Sequence, residues 1–278
     1  MKINGIAPRF DFSNPLVMGI LNISPDSFYD GGRFSETKTA LKRAQEMIEE
    51  GASIIDLGAV STRPGACDVT VEEEWGMIMK VLPPIRKNFP EIIISVDTFR
   101  ATVAKNAVNE GADIINDISG GQMDAQMFET VAHLNIPYIM MHIQGTPKTM
   151  QINPEYENVT AEVAAFFKTN LEKLASLGKS ENIILDPGFG FGKTISHNYE
   201  LLTNLETFKS FNCPLLVGVS RKSMIYRLLG ISAHEALNGT SVINTVALLK
   251  GADILRVHDV KEAVEVVRIV KEVVSHKS

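Results

Sequence analysis

The chain has 278 residues, 45% of them hydrophobic, and carries 27 Lys and Arg against 33 Asp and Glu for a net charge of −6. That acidic balance excludes a general nucleic-acid or membrane-surface binder, so an anionic ligand needs a local basic cluster. Two cysteines without metal spacing, Cys67 and Cys213, exclude a disulfide framework and fit a reducing, cytoplasmic compartment, while no run of 18 apolar residues predicts a membrane span.

Residues 1–12 lack the apolar core of a signal peptide and are expected to form a short hairpin or plug at one end of the fold. Apolar runs then predict strands at 16–22, 54–58, 92–97, 113–117, 137–141, 183–186, 215–219 and 253–257, with helical spacing between them. The runs are continuous rather than alternating, as parallel strands buried on both faces require. Eight strand-then-helix units predict one domain over 1–278, an α/β protein built as a single (β/α)8 TIM barrel with a short N-terminal extension. An internal echo supports the repeat. Glu50-Gly-Ala-Ser-Ile-Ile-Asp56 returns as Glu110-Gly-Ala-Asp-Ile-Ile-Asn116 and as Lys250-Gly-Ala-Asp-Ile-Leu-Arg256, each a helix-capping Gly followed by a buried strand.

Each strand run stops at a polar residue: Asn22, Asp56, Asp97, Asn116, His142, Asp186, Ser220 and Arg256. Barrel active sites lie at the carboxyl ends of the strands, so these residues read as the floor of one pocket. Segments 23–35 and 59–70 are long for βα connections and carry aromatic or basic residues beside Gly and Pro, which suits lids or substrate contacts.

Arg256 and His258 fall on one side of the last strand, and Ser220-Arg-Lys-Ser223 closes its neighbour. Together they supply the basic cluster that a phosphate or pyrophosphate needs. Asp97, Asn116 and Asp186 offer carboxylate and amide groups able to read a flat heterocycle with several N–H donors. A metal is the rival ligand for that trio, although Ca²⁺ and Zn²⁺ call for denser ligand sets. Asn22 and Asp56 fit Mg²⁺ shared with substrate phosphates. The run Asp186-Pro-Gly-Phe-Gly-Phe-Gly-Lys-Thr194 misses a nucleotide P-loop by one residue, Pro187. It reads either as a loop laying Phe191 on a planar ligand or as a tight packing turn. Met140 and Met141 either pad that ligand or fill the core. His142, His197 and His234 have no evident partner and read as structural or surface residues.

Several motifs occur in order: Asn22-Ile-Ser-Pro-Asp-Ser-Phe-Tyr-Asp-Gly-Gly32, Ser61-Thr-Arg-Pro-Gly65, Ser95-Val-Asp-Thr98, Asn116-Asp117, Asp186 to Lys193, Ser220 to Ser223, and Arg256-Val-His-Asp259. In this ordered set, each motif at a strand end, the chain resembles the bacterial dihydropteroate synthases from near residue 16 onward. The resemblance implies joining of 6-hydroxymethyl-7,8-dihydropterin pyrophosphate to p-aminobenzoate, with release of pyrophosphate and 7,8-dihydropteroate in folate synthesis. It places the pterin on Asp97, Asn116, Asp186, Lys222, Met140 and Phe191. The pyrophosphate falls to Asn22, Arg256 and His258, with Mg²⁺ at Asn22. The p-aminobenzoate falls to Phe28, Thr62, Arg63, Pro64 and Ser223. Asp97, Lys222, Arg63 and Phe28 are the expected catalytic residues. A homodimer and sensitivity to sulfonamide analogues of p-aminobenzoate are implied in the same way.

Two positions depart from the family pattern. Val60 stands where Glu is frequent, and Ser24 replaces a Thr while keeping its hydroxyl. The competing readings are a methyltetrahydrofolate–corrinoid methyltransferase, a non-catalytic pterin-binding barrel, and a class I aldolase using Lys222. The first needs no pyrophosphate site, and the second needs no Phe28 or Arg63.

Overall fold

The computed structural model describes residues 11–23, 32–60 and 69–276. These form alternating strands and helices: β1 (Leu16–Asn22), α1 (Gly32–Glu50), β2 (Ile54–Gly58), α2 (Val71–Asn88), β3 (Ile93–Asp97), α3 (Ala101–Asn109), β4 (Ile114–Asp117), α4 (Met127–Leu134), β5 (Tyr138–Met141), α5 (Val159–Ser176), β6 (Ile183–Asp186), α6 (Ile195–Thr203), β7 (Leu216–Val217), α7 (Ser223–Leu229), α8 (Leu237–Leu249), β8 (Ile254–Val257) and α9 (Val260–Ser275). All strand pairs are parallel, in the order β6-β5-β4-β3-β2-β1-β8-β7. A bridge between Leu185 and Leu215 joins the two ends and closes the barrel. The predicted TIM barrel is the observed fold. The strand expected at 215–219 pairs only over Leu216–Val217, because Gly218 and the residues after it already turn toward α7.

The repeated Gly-Ala step does the same work three times. Gly51, Gly111 and Gly251 have φ of 103°, 102° and 92°, where a side chain would be strained. Each closes its helix with a paired cap. Gly51 N donates to Ile48 O (3.0 Å) and Ala52 N to Met47 O (2.9 Å), and the same pattern follows at Gly111 and Gly251. The polar residue after Ala then ties two strands together: Asp113 Oδ2 accepts from Ile94 N and Asp253 Oδ2 from Leu215 N.

Strand phase decides what lies inside. Met18, Ile54, Ile93, Ile114, Ile139, Ile184, Leu216 and Ile254, one from each strand, form a buried cluster in the barrel's interior, joined by Phe12. Residues 1–10 of the segment expected to form a hairpin or plug lie outside the described residues. Successive inward positions are two residues apart. The next ones up are Asp56, Ser95, Asn116, Met141, Asp186, Gly218 and Arg256, followed by Asn22, Gly58 and Asp97. The interior therefore changes from wholly apolar to mostly polar within one pleat. Outward positions such as Ile55, Val96, Tyr138 and Met140 pack against the helices in the main core.

Candidate active site

Register sets the site's layout. Asn22, Gly58, Asp97 and Asn116 are partners along one row across β1 to β4, and Asp56 and Ser95 are partners one step below. Gly58 has no side chain to separate Asn22 from Asp97: a Cβ there would meet Asn22 Oδ1 at 3.5 Å and Asp97 Oδ2 at 3.9 Å. Gly218 similarly opens space beside the Arg256 stem and Lys222 Nζ.

Arg256 links the two rows. Its Nε donates to Asp56 Oδ2 (2.6 Å) and an Nη to Asp97 Oδ2 (2.8 Å), and Asn116 Nδ2 also donates to Asp56 Oδ2 (3.1 Å). One guanidinium thus serves two carboxylates. Burial raises the pKa of Asp97 to about 7, with Arg256 pulling it down and Asp56 pushing it up. Asp186 is also raised by burial, opposed first by Lys222. Lys222 in turn is lowered to about 8 by burial, opposed by Asp186. Its Nζ donates to Phe189 O (2.5 Å) and lies 4.6 Å from the centre of the Phe191 ring. Asp56 Oδ1 and Ser95 Oγ are buried without a hydrogen-bond partner, so the floor retains an acceptor and a hydroxyl for a ligand or water.

His258 flanks this group. Ser220 Oγ accepts from His258 N (3.2 Å) and lies 3.0 Å from His258 Nδ1. The hydroxyl can accept both hydrogens or donate its own to Nδ1, so the tautomer of His258 sets the direction of the second bond. Ser223 is the first residue of α7, directly after Lys222, and is half-buried. Asn22 is exposed at the mouth.

The structure therefore brings together Asn22, Asp97, Asn116, Asp186, Phe191, Lys222, Arg256 and His258, with Ser223 next to Lys222 in the chain. Phe28, Thr62, Arg63 and Pro64 lie outside the described residues. Val60 is the last described residue before that second loop, and the loop's far end is firmly held. Thr70 caps α2 reciprocally with Glu73, and Arg100 bonds the carbonyls of Val69 and Thr70 while pairing with buried Glu74.

Four expectations need correction. Met140 faces outward into the main core, and Met141, one residue on, clusters with Ile118, Ile143 and Phe191 beside the site. His142 shares Met140's outward phase, so it is not part of the pocket floor, and it does have a partner. Its Nδ1 lies 2.9 Å from Lys193 Nζ, and burial lowers its pKa to about 2. His197 also has partners, since it forms the N-terminal cap of α6 with Thr194. Arg221 is withdrawn from the basic cluster by two bonds to Asp259, both 2.8 Å, and by bonds to the carbonyls of Ala233 and His234. Asp56, considered beside Asn22 for Mg²⁺, has Oδ2 engaged by Arg256 and Asn116 while its Oδ1 has no partner. Ser95 escaped notice, although it stands two residues before Asp97 on the same face of the strand.

A prediction follows from Arg221. Arg221→Met is expected to lower the thermal midpoint by about 3 °C. It should leave the affinity for the pterin pyrophosphate that the resemblance implies within about twofold, since its guanidinium is held by Asp259 and two backbone carbonyls. Melting and calorimetric titration of the variant check both; a large affinity loss would return Arg221 to the anion site.

The Gly-rich run resolves against a phosphate loop. Lys193 Nζ turns back onto its own segment, 3.0 Å from both Gly188 O and Phe191 O. A P-loop directs its Lys at phosphates, whereas this one is consumed by backbone carbonyls.

Comparisons with known proteins agree with this geometry. The family model described as pterin binding enzyme matches residues 18–258. The dihydropteroate synthase of Escherichia coli (strain K12) is 47% identical over 278 residues, covering 100% of this chain and 98% of the relative. The crystal structure of the Yersinia pestis dihydropteroate synthase with a sulfonamide drug aligns at a TM-score of 0.91 and 41% identity, over 99% of both chains. The Xanthomonas albilineans enzyme solved with 4-aminobenzoic acid aligns at 0.88 and 35% identity, over 95% of this chain and 94% of that one. A barrel with this polar floor, matched over nearly its whole length, places the chain in the pterin-binding enzyme family, among the dihydropteroate synthases.

Proposed function

We propose that the protein joins 6-hydroxymethyl-7,8-dihydropterin pyrophosphate to p-aminobenzoate, releasing pyrophosphate and 7,8-dihydropteroate. The observation that carries this reading is the inward row of Asp97 and Asn116 facing Asp186 and Lys222, with Arg256 reaching between Asp56 and Asp97. Carboxylates take the N–H donors of the pterin's aminopyrimidine edge, Asn116 serves both donors and acceptors, and Lys222 donates to a ring carbonyl or nitrogen. Met141 and Phe191 supply the apolar surfaces for the flat ring. Arg256 and His258 take the pyrophosphate, and Arg256 stabilises charge as that group departs.

Departure leaves a cation on the methylene next to the pterin ring, which the negative charge of Asp97 favours. An arylamine is neutral at pH 7 and attacks without a strong base. The second-loop residues Thr62, Arg63 and Pro64, with Phe28 and Ser223, hold p-aminobenzoate in this scheme.

Mg²⁺ belongs with the pyrophosphate. Asn22 offers a single amide oxygen at the mouth, and the described residues include no cluster of three His, Cys, Asp or Glu, which suits a cation that takes most of its ligands from phosphate and water. Bound there, the ion would neutralise leaving-group charge.

The methyltransferase reading leaves Arg256 and His258 without a task, and the aldolase reading ignores the carboxylates around Lys222. Exposed apolar residues on α7, α8 and α9, including Leu228, Leu229, Val242 and Ile269, support a homodimer. No described helix is long and apolar enough to cross a membrane, and the cysteine usage supports a cytoplasmic setting.

Mass-spectrometric detection of dihydropteroate, dependent on both substrates and inhibited by a sulfonamide in competition with p-aminobenzoate, tests the proposal. Within it, Arg63→Ala is expected to cut kcat/KM for p-aminobenzoate about a hundredfold while changing dihydropterin pyrophosphate affinity less than about threefold. Equal loss of pterin affinity would move Arg63 to the other substrate.

A further inference from the structure

The segment 188–192 follows β6 and walls the pocket, and its shape is set by side chains behind it. All five of its carbonyl oxygens accept a bond from a side chain. Lys193 Nζ serves Gly188 O and Phe191 O at 3.0 Å each, Lys222 Nζ serves Phe189 O at 2.5 Å, Gln151 Nε2 serves Gly190 O at 2.8 Å, and Tyr156 OH serves Gly192 O at 2.8 Å. Of these donors only Lys222 has a role in the proposed reaction.

Lys193 is the most deeply placed, at 3% exposure. Its remaining contacts are both on His142, Nδ1 at 2.9 Å and the backbone oxygen at 3.4 Å, so this one nitrogen ties the segment to the residue after β5. His142 itself is anchored outside the pocket, its ring edge-on to Phe166 of α5 at 5.0 Å, and its backbone N–H donates to Asp186 O at 3.0 Å. The segment also has little room to shift. Gly188 has φ of 72°, and a Cβ on it would lie 1.9 Å from His142 O. At its other side the segment holds Lys222, through Phe189 O and the Phe191 ring.

We propose that Lys193, backed by His142, is a positioning residue for the pterin subsite: it fixes the backbone of 188–192 and so sets the Phe191 ring and the Phe189 carbonyl that hold Lys222. The inference rests on the reading that this pocket takes the pterin. Lys193 touches neither substrate. Its removal therefore loosens one wall of the pterin subsite and leaves the p-aminobenzoate contacts as they were. A residue that merely filled space would affect overall stability, or both substrates equally.

The test uses Lys193→Met, which keeps the stem and removes all three donors, and Tyr156→Phe, which removes one peripheral donor and keeps the ring. Titration with 6-hydroxymethyl-7,8-dihydropterin is expected to show the dissociation constant rising about tenfold in the first variant and about threefold in the second. The KM for p-aminobenzoate at saturating dihydropterin pyrophosphate should stay within about twofold in both. His142→Asn, which retains a polar side-chain partner for Lys193 Nζ, should bind pterin more tightly than His142→Leu. Unchanged pterin affinity in a folded Lys193→Met protein would overturn the proposal, as would equal loss for both substrates. Should that variant fail to fold, unchanged affinity in Tyr156→Phe together with equal affinities in the two His142 variants would overturn it. Absence of pterin binding to the unaltered protein would overturn the pterin reading instead.

Discussion

Arg256→Met is expected to reduce kcat/KM about a hundredfold or more and to destabilise the fold by about 3 kcal/mol. Both losses have one origin. Asp56 is fully buried and Asp97 half-buried, and the guanidinium at 2.6 and 2.8 Å is their shared countercharge. Removing it strands two carboxylates on the barrel floor, one of which already has an oxygen without a partner. The stability loss should be greater at pH 8 than at pH 6, because protonation relieves a stranded carboxylate as pH falls. Arg256→Lys should recover little of either property, since a single ammonium cannot reproduce two donors aimed at separate carboxylates. Chemical denaturation at the two pH values and steady-state kinetics check the result. A stable, active Arg256→Met protein would mean that the bridge is incidental.

Asp97→Asn is expected to weaken pterin binding and turnover together, by about tenfold or more each. It keeps the shape but loses the charge that, in the proposed reaction, receives N–H donors and favours the cationic intermediate. Its pH behaviour gives a second readout. The folded pKa of about 7 lies above the unfolded value of about 3.9. The folded protein therefore holds a proton that the unfolded chain has released. The associated stability is fully present below the unfolded pKa and is lost as pH rises through about 7. The denaturation midpoint of the unaltered protein should accordingly fall between pH 6 and 8, and Asp97→Asn should flatten that fall. Unchanged kinetics would remove Asp97 from the site.

The fold was legible because apolar runs and the thrice-repeated Gly-Ala step carry local information: a cap geometry that suits Gly, followed by a strand buried on both faces. Most of the site was legible because a barrel's chemistry sits where strands end, and Asp97, Asn116, Asp186 and Arg256 end strands there. Phase within a strand was harder to read. β5 is Tyr-Ile-Met-Met and buried on both faces, so composition could not separate Met140 from Met141 or turn His142 outward. Counting in twos from the bottom isoleucines would have separated them, and would have found Ser95. Long-range pairing was hidden altogether. Nothing local to Arg221 announces its bond to Asp259, 38 residues later, and nothing local to Lys193 announces His142, 51 residues earlier.

In the proposed reaction this polar floor couples pyrophosphate departure to capture of the arylamine. The most direct test is pyrophosphate release from 6-hydroxymethyl-7,8-dihydropterin pyrophosphate with Mg²⁺, with and without p-aminobenzoate. We predict release matched one for one by dihydropteroate when the arylamine is present, and little release without it. Tight binding of the pterin with no pyrophosphate released in either case would contradict the account.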